Sequence, residues 1–336
     1  MKAVVCESPG TLVIAERSLP ERGPEDVLLR VRRVGVCGTD MHIVRGTQPY
    51  LSYPRVPGHE LACEVVEAPA KSDLKAGEAV FVMPYLSCGS CHACKKGRTN
   101  CCIRLEVLGV HRDGGMAEYI AVPAKFVKRA EGLSLDQISM VEFLSIGAHA
   151  VERAPVRSGD RVLVVGAGPI GVAVLLFAAL RCANVTVLDS RHDRLGLARQ
   201  LGRAESLVTL DSDTPKRLLE ISQGEMFDVV FDCTGNVRAM EAGFGYVAHA
   251  GSYVLVSIVP DRVSFSDPEF HRRETTLLSS RNATLADVAR VMDAIRSGKI
   301  DTAMFNTHRA ALAAVPEAMV LWMKPETGVL KAIVEC

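Results

Sequence analysis

The sequence lacks an excess of charge of either sign. Among its 336 residues, 39 lysines and arginines balance 39 aspartates and glutamates. Proteins that bind nucleic acid or lie on membrane surfaces usually carry a basic excess, so we expect neither kind of partner. With 48% hydrophobic and 23% charged residues, the composition is typical of a globular protein and excludes a disordered chain.

The N-terminus also lacks the basic start and the apolar core of a secretory signal. Residues 162–180 are uncharged and mostly apolar, which is long enough for a membrane span. However, Gly166, Gly168 and Gly171 fall in the first half of this stretch and favour a strand, a tight turn and a helix. We therefore expect a cytoplasmic protein, in which clustered cysteines are metal ligands rather than disulfides.

The first part of the chain has the pattern of short strands. Brief strand-like runs at residues 27–34, 61–66 and 79–84 are bounded by glycine, proline or aspartate, and no long helical period appears. This pattern predicts a β-rich, barrel-like domain over residues 1–150.

From residue 151 strands alternate with helices. Apolar strands at residues 161–166 and 184–189 each precede a helical stretch. Such alternation predicts parallel βαβ units in a doubly wound α/β sheet over residues 151–284. A last amphipathic helix, capped by Thr284, begins a segment over residues 285–336 that we expect to return to the first domain. No internal repeat is evident.

Four of the eleven cysteines are closely spaced. Their pattern, C-x2-C-x2-C-x7-C, lets four thiolates converge on one tetrahedral zinc ion and leaves no position open for substrate. A disulfide pair or free thiols are the alternatives. We expect a structural zinc site in a lobe at about residues 85–105, with the ligands Cys88, Cys91, Cys94 and Cys102.

A second candidate metal site lies upstream. Catalytic zinc needs three protein ligands and one open position. Cys37 and His59 are candidates, and the third ligand is a carboxylate from either Glu60 or Glu142. Asp40 is a candidate partner that holds the His59 ring.

Residues 166–171 have the sequence G-x-G-x-x-G between an apolar strand and an apolar helix. Glycines there permit a tight turn and the close approach of a pyrophosphate to the helix N-terminus. We therefore expect a dinucleotide to contact Gly166, Gly168, Pro169, Ile170 and Gly171.

Other residues around this motif suggest how the rest of the dinucleotide is bound. Asp189 ends the next predicted strand, where its carboxylate accepts hydrogen bonds from ribose hydroxyls and repels a 2′-phosphate. This predicts NAD rather than NADP. Arg194 either stacks on adenine or is a solvated charge near the start of a helix. Thr234 and Ser257 follow later strands and are expected to line the nicotinamide pocket.

The motifs GVCGTDMH, YPRVPGHE, DGGMAEY and VLVVGAGPIG, together with the cysteine lobe, occur in an order that resembles the zinc-dependent medium-chain dehydrogenases. This family includes alcohol, sorbitol and threonine dehydrogenases. The resemblance implies an N-terminal GroES-like catalytic domain, a Rossmann domain that binds NAD(H), and two Zn²⁺ ions per chain, one catalytic and one structural.

The resemblance also assigns roles by position. Cys37, His59 and Glu60 match the catalytic zinc set, and Glu142 resembles the carboxylate that ligates the metal or binds its water in sorbitol-type members. Family members often have proline after that carboxylate, whereas this chain has Phe143.

Two residues near Cys37 match the proton relay of the family. Thr39 matches the hydroxyl that receives the substrate proton, and His42 matches the imidazole that passes this proton to solvent. An imidazole suits that task because it changes its protonation near neutral pH.

Four stretches, QPYLSYPRVPGHE, CKKGRTNCC, VLGVHRDGG and FSDPEFHRRETTLLSSRNAT, are similar to the bacterial sugar-acid branch of the family. That branch oxidises L-galactonate or L-gulonate at C5. The resemblance implies a small polyhydroxy substrate, and Arg281 is a candidate to approach either the substrate or the cofactor.

Competing interpretations are a sorbitol- or threonine-type dehydrogenase, or a zinc-binding regulatory protein without activity. The family resemblance also implies a homodimer or a homotetramer. Residues 252–265 are a candidate sheet edge for pairing two nucleotide-binding domains.

Overall fold

In the computed structural model, which describes residues 1–336, the chain crosses twice between two folding units. One unit consists of Met1–Glu142 and Thr284–Cys336, and the other of Phe143–Ala283. The first crossing lies earlier than residue 150, within the first turn of a helix that begins at Val141. Gly147 of that helix lies against Ala173, so most of the helix belongs to the second unit.

The N-terminal part of the first unit is built mainly of strands. In chain order its elements are β1 (Lys2–Ser8), β2 (Thr11–Glu16), β3 (Asp26–Val36), α1 (Gly38–Arg45), β4 (Glu60–Glu67), β5 (Ala79–Val82), β6 (Tyr85–Leu86), α2 (His92–Lys95), β7 (Glu106–Val107), β8 (Tyr119–Pro123), β9 (Val127–Arg129) and α3 (Leu135–Ser139).

The second unit alternates helices and strands. Its elements are α4 (Val141–Arg153), β10 (Arg161–Val165), α5 (Pro169–Leu180), β11 (Asn184–Asp189), α6 (His192–Gln200), β12 (Ser206–Thr209), α7 (Thr214–Ile221), β13 (Phe227–Asp232), α8 (Val237–Gly243), β14 (Val247–Leu255), α9 (Asp267–Arg272) and β15 (Thr276–Ser279).

All neighbouring strands of this second unit are parallel, in the order β12-β11-β10-β13-β14-β15. Numbered from β10, the order is 3-2-1-4-5-6, which is the order of the Rossmann fold. The order reverses between β10 and β13. At such a point the loops at the carboxyl ends of the strands leave a crevice for a dinucleotide.

The C-terminal segment rejoins the first unit with α10 (Leu285–Arg296), β16 (Asn306–Ala311), α11 (Val315–Trp322) and β17 (Lys331–Glu335). The large sheet of this unit has the order β16-β17-β3-β4-β5-β9, and β8 also pairs with β3. Strand β3 is antiparallel to β4, β8 and β17. The last strand of the chain is therefore placed beside a strand near its beginning.

The structure confirms the predicted fold class, a β-rich domain and a doubly wound parallel sheet. Residues 162–180 form most of β10, a turn and α5, and no helix has both the length and the apolar character that a membrane crossing needs. Thr284 caps α10 as predicted, because its side chain accepts a hydrogen bond from the Asp287 N–H while the Asp287 carboxylate accepts one from the Thr284 N–H.

One sequence expectation about this sheet is wrong. Residues 252–255 belong to β14, which lies between β13 and β15 and so has no free edge. The edge strands of the parallel sheet are β12 and β15. Sequence periodicity identifies a strand but contains no information about which strands flank it. The sequence therefore could not show that β14 lies inside the sheet and not at its edge.

Candidate active site

Cys37 follows β3 and occupies the N-cap position of α1. Its backbone N–H donates to Asp40 Oδ2 at 2.9 Å. The other oxygen of this carboxylate, Oδ1, accepts from the Gly58 N–H at 3.0 Å. Asp40 is fully buried. Its carboxylate therefore joins the start of α1 to the turn that precedes His59, and it fixes the distance between two candidate ligands.

The side chains of Cys37, His59 and Glu60 converge. One donor atom from each lies within 4.8 Å of the other two. A thiolate, an imidazole and a carboxylate are donors that zinc accepts. Glu60 Oε2 is buried without a hydrogen-bond partner, which is costly for a carboxylate oxygen unless a cation faces it. The residues present fit a zinc ion.

Burial alone would lower the pKa of the His59 imidazole, but Asp40 and then Cys37 raise the pKa well above its usual value. Asp40 Oδ1 lies 3.8 Å from His59 Nδ1. This distance makes Asp40 an electrostatic neighbour of the ring rather than a hydrogen-bond partner. Zinc binds the unprotonated nitrogen of an imidazole, so metal binding at His59 would leave the coordinating nitrogen without a proton.

Glu60 is paired with Lys331, which is the first residue of β17. The Lys331 ammonium also donates to the Val36 carbonyl at 3.2 Å, and the residue is 1% exposed. Burial raises the pKa of Glu60 to about 7, although Lys331 opposes this shift. Removing one partner of such a buried pair typically costs about 3–5 kcal/mol of stability.

Gly35 of β3 leaves the space that the Glu60 carboxylate occupies. A methyl group at position 35 would overlap Glu60 Oε2 and lie 2.9 Å from Glu60 Cβ. Glycine is therefore required at this point of β3 by the close approach of the carboxylate.

Glu142 is not among the three donors that lie within 4.8 Å of one another. It is buried in the first turn of α4, and its Oε1 accepts a hydrogen bond from the Tyr85 hydroxyl. Burial, and then the Glu142 carboxylate, raise the pKa of Tyr85 well above its usual value, so the phenol keeps its proton. Glu142 still acts on the site electrostatically, because its charge raises the pKa values of His59 and Glu60.

Thr39 and His42 lie three residues apart in α1. Residues at this spacing are neighbours on the same face of a helix. His42 is exposed to solvent and Thr39 is half-buried. This placement is compatible with a proton path from Thr39 to His42 and then to solvent.

The four cysteines of the lobe also converge, with Sγ atoms within 4.8 Å of one another. Arg104 Nη2 donates to Cys88 Sγ at 3.3 Å, and the Arg104 N–H donates to Cys102 Sγ at 3.3 Å. The Arg104 hydrogen bond is the largest cause that lowers the pKa of Cys88, to about 4. Cys101 is exposed and lies outside the cluster.

The glycine motif forms the turn between β10 and α5. Gly168 is the N-cap of α5, and Pro169 and Ile170 begin the helix. A methyl group at Gly171 would overlap the Gly166 carbonyl oxygen, so only glycine lets the helix start this close to the strand. The turn leaves backbone N–H groups at the helix N-terminus for a pyrophosphate.

Asp189 ends β11 beside this turn. Its Oδ2 accepts from the Ala167 N–H at 2.6 Å, and its Oδ1 accepts from the Arg191 N–H at 2.8 Å. Arg194 Nη1 lies 3.8 Å from Asp189 Oδ2. Asp189 thus holds the glycine turn and also places negative charge where a ribose would lie.

Thr234 and Ser257 follow adjacent strands, β13 and β14. The Thr234 hydroxyl donates to Asp232 Oδ1 at 2.9 Å, and the Ser257 N–H donates to the Asp232 carbonyl at 3.3 Å. Asp232 therefore organises both loops, and burial raises its pKa to about 6. Arg281 follows β15 and is exposed.

Sequence reasoning missed two residues of the first unit, Lys331 and Tyr85. The sequence signal for Lys331 is its position at the start of the short apolar run Lys-Ala-Ile-Val, which is typical of a buried strand. A lysine is rarely buried in such a strand unless an anion lies beside it. Tyr85 had no comparable signal, because tyrosine is common in the strands of any sheet.

The fold and these sites define a two-domain dehydrogenase that binds zinc and a dinucleotide. The family model "Alcohol dehydrogenase GroES-like domain" matches residues 23–131, and "Zinc-binding dehydrogenase" matches residues 169–297. The chain belongs to the zinc-dependent medium-chain alcohol dehydrogenase family. It is a zinc-binding, NAD(P)-dependent oxidoreductase that acts on CH–OH groups.

Individual relatives are similar over most of the chain. L-galactonate-5-dehydrogenase of Escherichia coli K12 is 40% identical over 94% of this chain and 94% of its own length. L-threonine 3-dehydrogenase of Pyrococcus horikoshii is 31% identical over 79% of this chain and 78% of its own length. A short chain alcohol dehydrogenase from E. coli CFT073, solved with NADH, is 29% identical with a TM-score of 0.93, and the match covers 100% of this chain and 99% of that chain.

We expect Gly35→Ala to displace the Glu60 carboxylate and to reduce kcat/KM at least about tenfold, which corresponds to roughly 1.4 kcal/mol of transition-state stabilisation. Gly38→Ala is the matched control, since position 38 has open space around it. Steady-state kinetics and zinc content per chain test this. A Gly35→Ala enzyme with unchanged kinetics and zinc would contradict the role of this space.

We expect Asp189→Ser to lower the ratio of kcat/KM for NAD to that for NADP at least about tenfold, because the charge that repels a 2′-phosphate is removed. Asp193→Ser serves as the control, since Asp193 is an exposed carboxylate that pairs with Arg191. The measurement is initial-rate kinetics with both cofactors. An unchanged ratio in Asp189→Ser would show that another contact selects the cofactor.

Proposed function

We propose that this enzyme oxidises a secondary alcohol of a sugar acid with NAD, and that its best substrates are L-galactonate or L-gulonate, oxidised at C5. The observation that carries this proposal is the 40% identity to an L-galactonate-5-dehydrogenase over 94% of both chains. In this assignment the first unit is the catalytic domain and the second unit binds the cofactor.

Cys37, His59 and Glu60 are the proposed ligands of the catalytic zinc. The convergence of their donor atoms and the unpartnered Glu60 Oε2 favour Glu60 over Glu142 as the third ligand. When bound, zinc supplies Lewis acidity to the substrate hydroxyl, and NAD accepts the hydride from the carbinol carbon.

Lys331 offsets one of the two negative charges that Cys37 and Glu60 bring to this site, and it keeps one Glu60 oxygen oriented. Tyr85 orients Glu142 in the same way, because its hydroxyl donates a hydrogen bond to the Glu142 carboxylate. Both contacts hold a carboxylate in place before the substrate arrives. Because these charges are already fixed, the active site spends less free energy on reorienting its polar groups during the reaction.

Thr39 accepts the proton that the substrate hydroxyl loses and releases its own hydroxyl proton towards His42, which passes a proton to solvent. The i, i+3 spacing in α1 and the gradient from half-buried Thr39 to exposed His42 support this order. The chain's own residues thus provide an exit for the proton from a buried centre.

The cofactor contacts are proposed from the second unit alone. The turn formed by residues 166–171 binds the pyrophosphate, and Asp189 binds the adenosine ribose with Arg194 beside it. Thr234 and Ser257, which Asp232 brings together, bind the nicotinamide end, and Arg281 approaches the substrate or the cofactor.

The four-cysteine cluster is the proposed structural zinc site. All four of its ligands are thiolates, which leaves no position for substrate. Arg104 compensates part of the charge of four thiolates, because it contacts Cys88 directly. This zinc stabilises the lobe and takes no part in the reaction.

The threonine dehydrogenase relative favours a second candidate substrate, L-threonine, whose oxidation would use the same zinc and the same proton relay. The two candidates differ in what the substrate offers besides its hydroxyl. Both carry one carboxylate, but a sugar acid adds several further hydroxyls, whereas threonine adds an ammonium group.

We expect the purified enzyme to reduce NAD with L-galactonate or L-gulonate at a higher kcat/KM than with D-sorbitol or L-threonine. The absorbance of reduced nicotinamide measures this directly. If sorbitol or threonine is oxidised while both aldonates are inert, the substrate assignment is wrong and the mechanism stands. If no member of the panel reduces NAD, the proposed reaction itself is wrong.

Substitution of the proposed ligand Cys37→Ala should leave one zinc per chain instead of two and should reduce kcat at least about a hundredfold, the loss that follows removal of a major electrostatic contact. Cys101→Ala is the control, because this exposed cysteine lies outside both clusters. Elemental analysis, circular dichroism and kinetics are compared. Full activity in a folded Cys37→Ala protein that contains only one zinc would refute the catalytic site.

A further inference from the structure

Thr47 holds the side chain of His42. The Thr47 Oγ1 lies 2.8 Å from His42 Nδ1 and 3.4 Å from the His42 carbonyl oxygen. The Thr47 N–H donates to that same carbonyl at 2.9 Å. Gly46, at the C-cap of α1 with φ of +76°, turns the chain back so that Thr47 reaches the last turn of the helix.

This contact distinguishes the two nitrogens of the imidazole. Thr47 Oγ1 is the one hydrogen-bond partner of the His42 ring, and it faces Nδ1. Nε2 is therefore the ring nitrogen that remains to exchange protons. A neutral imidazole accepts a proton only at the nitrogen that carries no hydrogen, so the tautomer decides whether His42 can receive a proton at Nε2.

A threonine hydroxyl suits this position because it both donates and accepts. With its hydrogen directed to the His42 carbonyl, Oγ1 accepts the hydrogen of Nδ1, and Nε2 keeps its lone pair. When Nε2 then gains a proton, Nδ1–H still donates to Oγ1. The same hydrogen bond therefore serves the neutral ring and the cationic ring, and no proton moves between His42 and Thr47.

We propose that Thr47 is a positioning residue of the proton relay, which fixes the His42 ring in the tautomer that carries hydrogen on Nδ1 and leaves Nε2 to accept the relayed proton. This inference rests on the proposed role of His42. Thr47 sets the orientation and the tautomer of the His42 ring, and it affects the reaction only through His42.

Two substitutions separate the hydroxyl from the rest of the residue. Thr47→Val keeps the branched shape and the backbone hydrogen bond but removes the hydroxyl, whereas Thr47→Ser keeps the hydroxyl. Both changes lie on the surface beyond α1, where the side chain is exposed, so both proteins should fold.

The first readout is the tautomer, measured from the ¹⁵N shifts of the ring in protein labelled at its nine histidines. The signal that disappears in His42→Asn identifies His42. We expect the Nδ1–H tautomer in the wild type and in Thr47→Ser, and a shift toward Nε2–H in Thr47→Val. A His42 signal that is identical in all three proteins would overturn the inference.

The second readout is kinetic. Thr47→Val should lower kcat about threefold to tenfold, the factor expected for one ordinary hydrogen bond, with KM unchanged and with Thr47→Ser close to wild type. In the His42→Asn background the same substitution should have no further effect. An equal loss of kcat in that background would overturn the inference, because Thr47 would then act through another residue.

His42→Asn alone distinguishes a failure of the proton relay from a failure of the positioning role of Thr47. If this substitution leaves kcat unchanged, the proposed relay is wrong and the role of Thr47 falls with it. If it lowers kcat while Thr47→Val alters neither kcat nor the His42 tautomer, the relay stands and only the positioning role of Thr47 is refuted.

Discussion

The geometry of the candidate active site depends on one buried carboxylate, that of Asp40. Its two oxygens accept hydrogen bonds from the backbone of Cys37 and of Gly58, so it links the start of α1 to the turn before His59. A fully buried carboxylate is tolerated only when its oxygens are satisfied, and these backbone donors satisfy both. Two segments that the sheet alone would leave separate are thereby held at the spacing of metal ligands.

Charge balance extends this constraint to the end of the chain. Glu60 begins β4 and Lys331 begins β17, and both strands pair with β3. Because β17 must be in place before Lys331 meets Glu60, the charge of the site is balanced only when the C-terminal segment has returned to the first unit. The site is therefore completed by the C-terminal segment, which belongs to the first unit although it follows the second unit in the sequence. Without this segment, the buried Glu60 carboxylate would have no Lys331 ammonium to balance its charge.

The parts that could be predicted from sequence are those whose residues are close together along the chain. The four-cysteine lobe and the glycine turn each need only a short segment, so their spacing and their immediate sequence context were enough to predict them. The ion pair of Glu60 with Lys331 and the hydrogen bond of Tyr85 with Glu142 join distant residues, and only strand pairing brings them together. The incorrect edge at residues 252–265 has the same origin, because strand order is a long-range property.

The two candidate zinc sites show why a structural site can be built from one short segment whereas a catalytic site needs residues that are distant in the sequence. A structural site needs only closure, and four thiolates on one lobe supply it together with Arg104. A catalytic site must keep a position open and must hold charged groups apart from water, which a short segment lacks the volume to do. Its proposed donors therefore come from the ends of different elements, and residues such as Asp40 and Lys331 hold them in place. The residues hardest to find in the sequence are the ones that keep the reactive residues in place.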